Sequence, residues 1–248
     1  MRTLSIMIRL ALAIALLMAA PSSAFDAEAA SPAIEKPGLE RYTLEVRQFS
    51  TLCVQDNVNV VYTCSNDSTA RIYYESEPDF ADAFIFTDNG ETLKIQVTTE
   101  DVGKPGMPTL HVSSRRLERV ENYSDFSLRV EEIPPCQEFS ASLVGNGTIL
   151  INDISAHDVS AKITAGMGTI ILTGKCSSAH FKLTGAGTIQ ADRLKADDVT
   201  CKTLGGGSIT TYPLKSLNIR GLGSTKIYYR GDPKIKRSGS PRPIPIEQ

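Results

Sequence analysis

The chain of 248 residues carries 26 Lys and Arg against 28 Asp and Glu, with five Cys, no Trp and only 6% aromatic residues. Charge so nearly balanced argues against nucleic acid as a partner. Sparse aromatics beside many Thr, Val and Ile at alternating positions argue for an all-β chain, and no amphipathic helix follows the N-terminal segment.

Residues 1–24 read as a signal peptide. Arg2 and Arg9 supply the positive start, residues 10–20 are an uncharged apolar run, and Pro21-Ser22-Ser23-Ala24 offers small residues for cleavage before Phe25. That run is too short for the roughly 20 apolar residues a bilayer span needs, so no membrane span is expected after cleavage. Losing Arg2 and Arg9 leaves 24 basic against 28 acidic residues, a net charge of −4. Residues 25–41 follow as a flexible leader without apolar periodicity. The expected product is exported.

Residues 42–135 read as a β-rich half. Short strands are predicted over 52–62, 71–75, 83–86, 93–98 and 109–112, separated by turns such as Asp88-Asn89-Gly90. Pro134-Pro135-Cys136 marks the boundary, and whether this half opens the same architecture as the next stays open. Export permits disulfides, but five cysteines leave at least one unpaired in a monomer. Cys53 and Cys64, flanking a strand, are the candidate pair, and no Cys/His spacing suggests zinc or another metal.

Residues 136–240 repeat one phrase of Gly, any residue, Gly, a hydroxyl residue and usually Ile. Its second glycines are Gly147, Gly168, Gly187, Gly207 and Gly223, and Ser238-Gly239-Ser240 is a degraded sixth copy. A period near 20 predicts a right-handed parallel β-helix of roughly 20-residue coils. The glycines are assigned to the corner of each coil, where positive φ or close backbone approach excludes a side chain. Two residues on, Ile149, Ile170, Ile189, Ile209 and Thr225 form a core ladder, with Ile151, Leu172, Ala191, Thr211 and Ile227 beside it. Between these columns lies an outward one of Leu150, Ile171, Gln190, Thr210 and Lys226. Before the glycines, Cys201 shares a buried column with Phe181 and Leu217, and a one-residue bulge is expected near Thr164-Ala165. Residues 241–248 complete the chain as a Pro-rich tail.

The phrase carries none of the familiar ligand loops. No helix and third glycine follow it as in a dinucleotide fingerprint, no Gly-Lys-Ser/Thr makes a P-loop, and Ile stands where a calcium repeat has Asp. No cofactor is implied. Eleven residues past the second glycine the column reads Asp158, Ala179, Asp198, Asn218, which sets the two acids two coils apart, about 9.6 Å, without helpers. His111, His157 and His180 share no column, so no catalytic residues are assigned. The hydroxyls Thr148, Thr169, Thr188, Ser208 and Ser224 form a candidate surface ladder, whose simpler role is to satisfy corner backbone groups.

The Gly-x-Gly-Thr-Ile phrases, the strand entry Asp88-Asn89-Gly90-Glu91-Thr92-Leu93-Lys94-Ile95 and the closing Ile227-Tyr228-Tyr229-Arg230-Gly231-Asp232-Pro233 together resemble a bacterial family, the putative autotransporter adhesin head GIN domain. The resemblance runs from about residue 45 to 240. It departs from the family's usual Ser-Gly-Ser-Gly at Asn146, Met167 and Leu222. It implies a β-helix exported by a Gram-negative bacterium to the periplasm, cell surface or medium, with no established activity. The expected function is a non-enzymatic adhesin-like or envelope binding module whose partner is a glycan or an envelope protein, with homo-oligomers a further candidate. The alternatives are a polysaccharide-active enzyme on the same fold and a structural protein that assembles through a coil end.

Overall fold

The computed structural model describes residues 38–98, 100, 101 and 103–246; the expected signal peptide and residues 25–37 of the leader lie outside them. Leu39–Gln248 is one compact unit. Its first strands are short: β1 (Glu40–Val46), β2 (Thr51–Val54), β3 (Val60–Cys64), β4 (Ala70–Ser76), β5 (Phe84–Asp88), β6 (Thr92–Val97), β7 (Leu110–Ser114), β8 (Arg119–Asn122) and β9 (Ser127–Val130). The strands then lengthen in β10 (Cys136–Val144), β11 (Thr148–Ala165), β12 (Thr169–Gly185), β13 (Thr188–Gly205) and β14 (Ser208–Gly223). Three short ones close the chain: β15 (Lys226–Tyr229), β16 (Lys234–Gly239) and β17 (Arg242–Pro245). Among the described residues, the one helical element is a 3₁₀ turn at Pro78–Phe80.

These strands wind into a parallel β-solenoid with two long sheets. The front sheet stacks β6, β2, β8, β10, the C-terminal halves of β11 to β14, and β16, every neighbour parallel. The back sheet stacks β7, β3, β9, the N-terminal halves of β11 to β14, β15 and β17, again all parallel. The β-rich first half therefore opens the same solenoid. It lacks the glycine phrase because asparagines serve its corners: the Oδ1 atoms of Asn57, Asn59 and Asn122 accept from the backbone N–H groups of Asp125, Ser127 and Ser124 at 2.9, 3.1 and 3.0 Å. Asn is a turn residue because its side chain can replace a backbone partner in this way.

Both ends of the stack differ from its middle. At the start, β5 pairs with β6, β4 with β7 and β1 with β4, all antiparallel, so the first parallel coil is covered by reversed strands. At the finish, the 241–248 segment is not simply a tail: its residues 242–245 form β17, parallel to β15. Pro243 and Pro245 of β17 withhold N–H donors, and Lys234, Lys236 and Arg237 of β16 charge the neighbouring edge. Prolines and lysines are the usual means of blocking strand addition.

The interior is one continuous apolar cluster from Phe49 to Ile227. Ile149, Ile170, Ile189 and Ile209 stack as expected and are wholly buried, each contributing about 1.5–3 kcal/mol. The fifth member is Ile227, not Thr225. Ala141, Ala161, Phe181 and Cys201 likewise stack, but the next in line is Ile219, not Leu217. The bulge falls where expected, between Leu143/Val144 and Ile163/Ala165. All the discrepancies in the last coil have one cause. Gly223 lies over Gly205, the first glycine of its phrase, so Gly221-Leu222-Gly223 sits two residues out of step. Thr225 takes the second glycine's place, and its Oγ1 donates to the carbonyls of Gly205 and Gly206.

In the first three phrases the two glycines act differently, the first having positive φ and the second not. Gly166 has φ +88°, and a Cβ there would sit 2.2 Å from the Gly145 carbonyl oxygen. Gly187 has no positive φ, yet a Cβ would stand 2.7 Å from the Gly168 carbonyl oxygen. One turns the chain and the other admits the coil below.

The cysteines are all free, which corrects the expected Cys53–Cys64 disulfide. Cys53 lies beside Lys94 and Glu121, its Sγ accepting from Gln55 Nε2 at 3.5 Å, whereas Cys64 lies beside Ser114 with its thiol donating to the Arg115 carbonyl. The two strands run on into different sheets, which carries the thiols apart. Burial pushes the Cys176 and Cys201 thiols up to about 12. Both therefore remain protonated and inert at neutral pH.

Three outcomes are expected. Ile189→Asp destabilises by more than about 3 kcal/mol through an unpaired buried charge, while Gln190→Asp on the outer face stays within about 0.5 kcal/mol; urea unfolding of both variants checks this. Gly166→Ala costs about 2 kcal/mol or more in the same assay, from the strained conformation and the carbonyl contact. A thiol reagent without reductant titrates all five cysteines in denaturant, whereas Cys201 is silent in the native protein.

Candidate functional site

Period-two alternation turns every second residue of the front sheet outward, and the parallel register stacks those residues in rows about 4.8 Å apart. The row nearest the start of the strands is Glu138, Asp158, Ser178, Asp198, Ser216, Lys234. This corrects the expected column, which had Ala179 and Asn218 in place of Ser178 and Ser216. Ala179 faces the core instead, fully buried. The next outward row is small and polar: Ser140, Ser160, His180, Thr200, Asn218. Beyond it runs a basic row of Lys162, Lys182, Lys202 and Arg220.

The first coils widen this face into a groove of about 780 Å³ lined by Glu118, Arg119, Glu121, Glu138, Asp158 and His180 among others. Hydroxyls of Ser140 and Ser160 lie 3.1 Å apart on its floor. Asp158 receives a hydrogen bond from His157 Nδ1 at 2.7 Å, which holds its carboxyl below the usual carboxylate range. Asp198 accepts from Ser216 Oγ. Cys53 borders the groove, but burial raises its thiol and keeps it protonated. Such a surface can accept and donate many hydrogen bonds to a polar chain lying along the solenoid.

The two acids that the glycine spacing had singled out stay apart. Asp158 and Asp198 stand two strand spacings apart, about 9.6 Å, with Ser178 between them. His111 is on the back sheet, stacked on Tyr73 with centroids 4.6 Å apart, and burial lowers its pKa. Among the described residues, no three His, Cys, Asp or Glu are placed to hold a metal ion.

The hydroxyl ladder of Thr148, Thr169, Thr188 and Ser208 stacks in register on the back sheet, half-buried, with Thr188 and Ser208 hydroxyls 3.4 Å apart. Its fifth place belongs to Lys226; Ser224 sits instead at the exposed corner. The outward column beside it ends, for the same reason, in Tyr228 where Lys226 was expected. The basic row escaped the sequence reading altogether. Its signal was present in part: Lys182 and Lys202 each lie three residues before the first glycine of their phrase, Gly185 and Gly205, whereas Arg220 lies three before Gly223, which takes that place only in the structure. Lys162 lies four before Gly166 because of the bulge.

Several solved structures share the fold. A protein of Bacteroides fragilis described as a putative adhesin aligns with TM-score 0.71 and 20% identity, over 85% of this chain and 96% of its own. One of Parabacteroides distasonis, described as a putative lipid binding protein, aligns with TM-score 0.67 and 21% identity, over 85% of this chain and 98% of its own. A putative adhesin of Parabacteroides merdae gives TM-score 0.67 at 15% identity, over 84% and 95%. No curated protein matches the sequence. Residues 48–233 match the family described as "Putative auto-transporter adhesin, head GIN domain", and the chain belongs to that family.

Proposed function

We propose that the protein is an exported, non-enzymatic, adhesin-like module that binds a glycan strand along the outer face of the front sheet. The single observation that carries this reading is the groove of about 780 Å³ with its two rows of polar side chains, mostly carboxylates and hydroxyls, one from each row per coil. Carboxylates accept several hydrogen bonds each and hydroxyls both donate and accept, which matches the alternating hydroxyls of a sugar chain. Strand spacing also repeats those partners at a fixed interval along the axis. Family membership and the apolar N-terminal run support export. The compartment is proposed to be the cell surface or periplasm. Assembly through a coil end is disfavoured by the charged and proline-bearing edges of β16 and β17.

The test is a panel of soluble bacterial and host polysaccharides read by calorimetry. One of them is expected to bind, and Glu138→Ala combined with Asp158→Ala is expected to weaken it at least tenfold without changing the melting temperature. Both positions are at the surface, so folding is not at stake. A panel with no binder, or binding indifferent to the double variant, would remove the groove from consideration. Sustained release of new sugar ends, lost in Asp198→Asn, would replace the binding module with an enzyme.

A further inference from the structure

The corner bearing the glycine phrase is a straight ridge, and its surface is unlike the rest of the molecule. Met167 is 72% exposed, Leu222 64% and Leu204 58%, the three largest values among the exposed large hydrophobic residues described. Tyr123 at 44% and Phe126 at 40% occupy the same corner in the coil below Asn146, since Phe126 carries the carbonyl that Thr148 N–H reaches across the corner. Half of the ten exposed large hydrophobics thus share one edge. Leu204 and Leu222 are direct neighbours in the ladder. From the coil of Tyr123 to that of Leu222 the ridge runs about 24 Å, five strand spacings. Scattered single apolar residues are ordinary on a protein surface, but five gathered on one edge, interrupted only at Asn146 and at Thr184-Gly185-Ala186, mark a contact site.

The two flanks of the ridge differ. On the front side, two or three residues back from it, Lys162, Lys182, Lys202 and Arg220 stand in single file, all exposed. None has an ion-pair partner among the described residues, although other surface cations do, as Lys215 has Asp197 and Arg230 has Asp192. Like charges stacked one strand spacing apart repel one another; the row turns acidic only two coils before Lys162, where Ser142 is followed by Glu121. On the back side the flank is the uncharged hydroxyl ladder from Thr148 to Ser208. The acids of the front face, Asp158 and Asp198, lie four residues behind Lys162 and Lys202, about 13 Å away along the strand.

We propose that this ridge docks the protein on the surface of an anionic lipid bilayer. Met167, Leu204 and Leu222 enter the boundary between headgroups and acyl chains, and the basic row meets the lipid phosphates. Apolar burial and attraction of basic residues to anionic headgroups are the two additive terms of peripheral membrane binding, and the coils from Met167 to Leu222 supply both side by side, whereas the Tyr123 end carries Glu121 and Asp125 and stays off the headgroups. A soluble polyanion would neutralise the cations but leave the leucines in water. A neutral apolar partner would leave the cations unmatched. The proposal concerns a different surface from the groove and stands whether or not the groove binds a glycan.

The chain contains no Trp, so a single introduced one reports on its own surroundings. In the chain from Phe25 onward, Leu222→Trp is mixed with vesicles of phosphatidylglycerol and phosphatidylcholine, and in parallel with phosphatidylcholine alone. Ile85→Trp, 47% exposed on β5 away from the ridge, serves as control. The expected result is a blue shift of Leu222→Trp emission on the anionic vesicles, at least tenfold weaker partitioning onto neutral ones, and no shift for Ile85→Trp. Adding Lys182→Glu with Lys202→Glu, or Met167→Ser with Leu204→Ser, reduces partitioning at least tenfold at unchanged melting temperature. Glu138→Ala with Asp158→Ala, which disables the groove, leaves it within twofold. The proposal is overturned if Leu222→Trp shows no shift, if both reporters shift alike, or if the charge-reversed variant partitions as before. Capture by an acidic polysaccharide without vesicle binding overturns it as well.

Discussion

The fold depends on how closely one coil can approach the next at the glycine corner. Carbonyl oxygens of one corner point at the Cα of the corner above, and the backbone N–H groups of Gly168, Thr169 and Thr188 bond to the carbonyls of Gly145, Gly147 and Gly168 at 3.0–3.1 Å. A side chain at those Cα positions would push the coils apart and break that ladder. With the corners fixed, the strands on both sides fall into parallel register. The core isoleucines are then stacked like over like, and the outer residues are sorted into rows. Packing, surface chemistry and the proposed contacts all inherit this one spacing.

The sequence made the middle coils legible because two signals agreed there. The glycine phrase marked the corner and period-two alternation marked the inward face, so Ile149 through Ile209 and the bulge after Ile163 could be placed. The last coil was misplaced because the phrase itself misled: Gly221-Leu222-Gly223 has the right letters two residues early, and Thr225 stands where a glycine was expected. The register of Gly223 over Gly205 and the hydrogen bonds of Thr225 to the carbonyls below reveal the substitution. The first half stayed ambiguous for the opposite reason, since Asn57, Asn59 and Asn122 serve two of its corners without the glycine phrase.

The candidate surfaces were less readable than the core. A single-residue difference in register exchanges Ala179 for Ser178 and so exchanges a buried methyl for an exposed hydroxyl. Rows of charge arise only when residues about 20 apart are brought side by side, and no local pattern announces them. The pairing of Cys53 with Cys64 failed similarly. Proximity along the chain suggested a bond, but the corner between β2 and β3 sends the two side chains to different sheets.

The blocked ends have a further consequence for how such a molecule can change. Reversed strands close the first coil, and lysines and prolines close the last, so neither stop depends on how many coils lie between. An interior coil meets only near-copies of itself above and below. Duplicating or deleting one lengthens or shortens every surface row by a single strand spacing while leaving both stops untouched. Reach is thus a quantity that gene duplication can set, independently of what holds the protein folded.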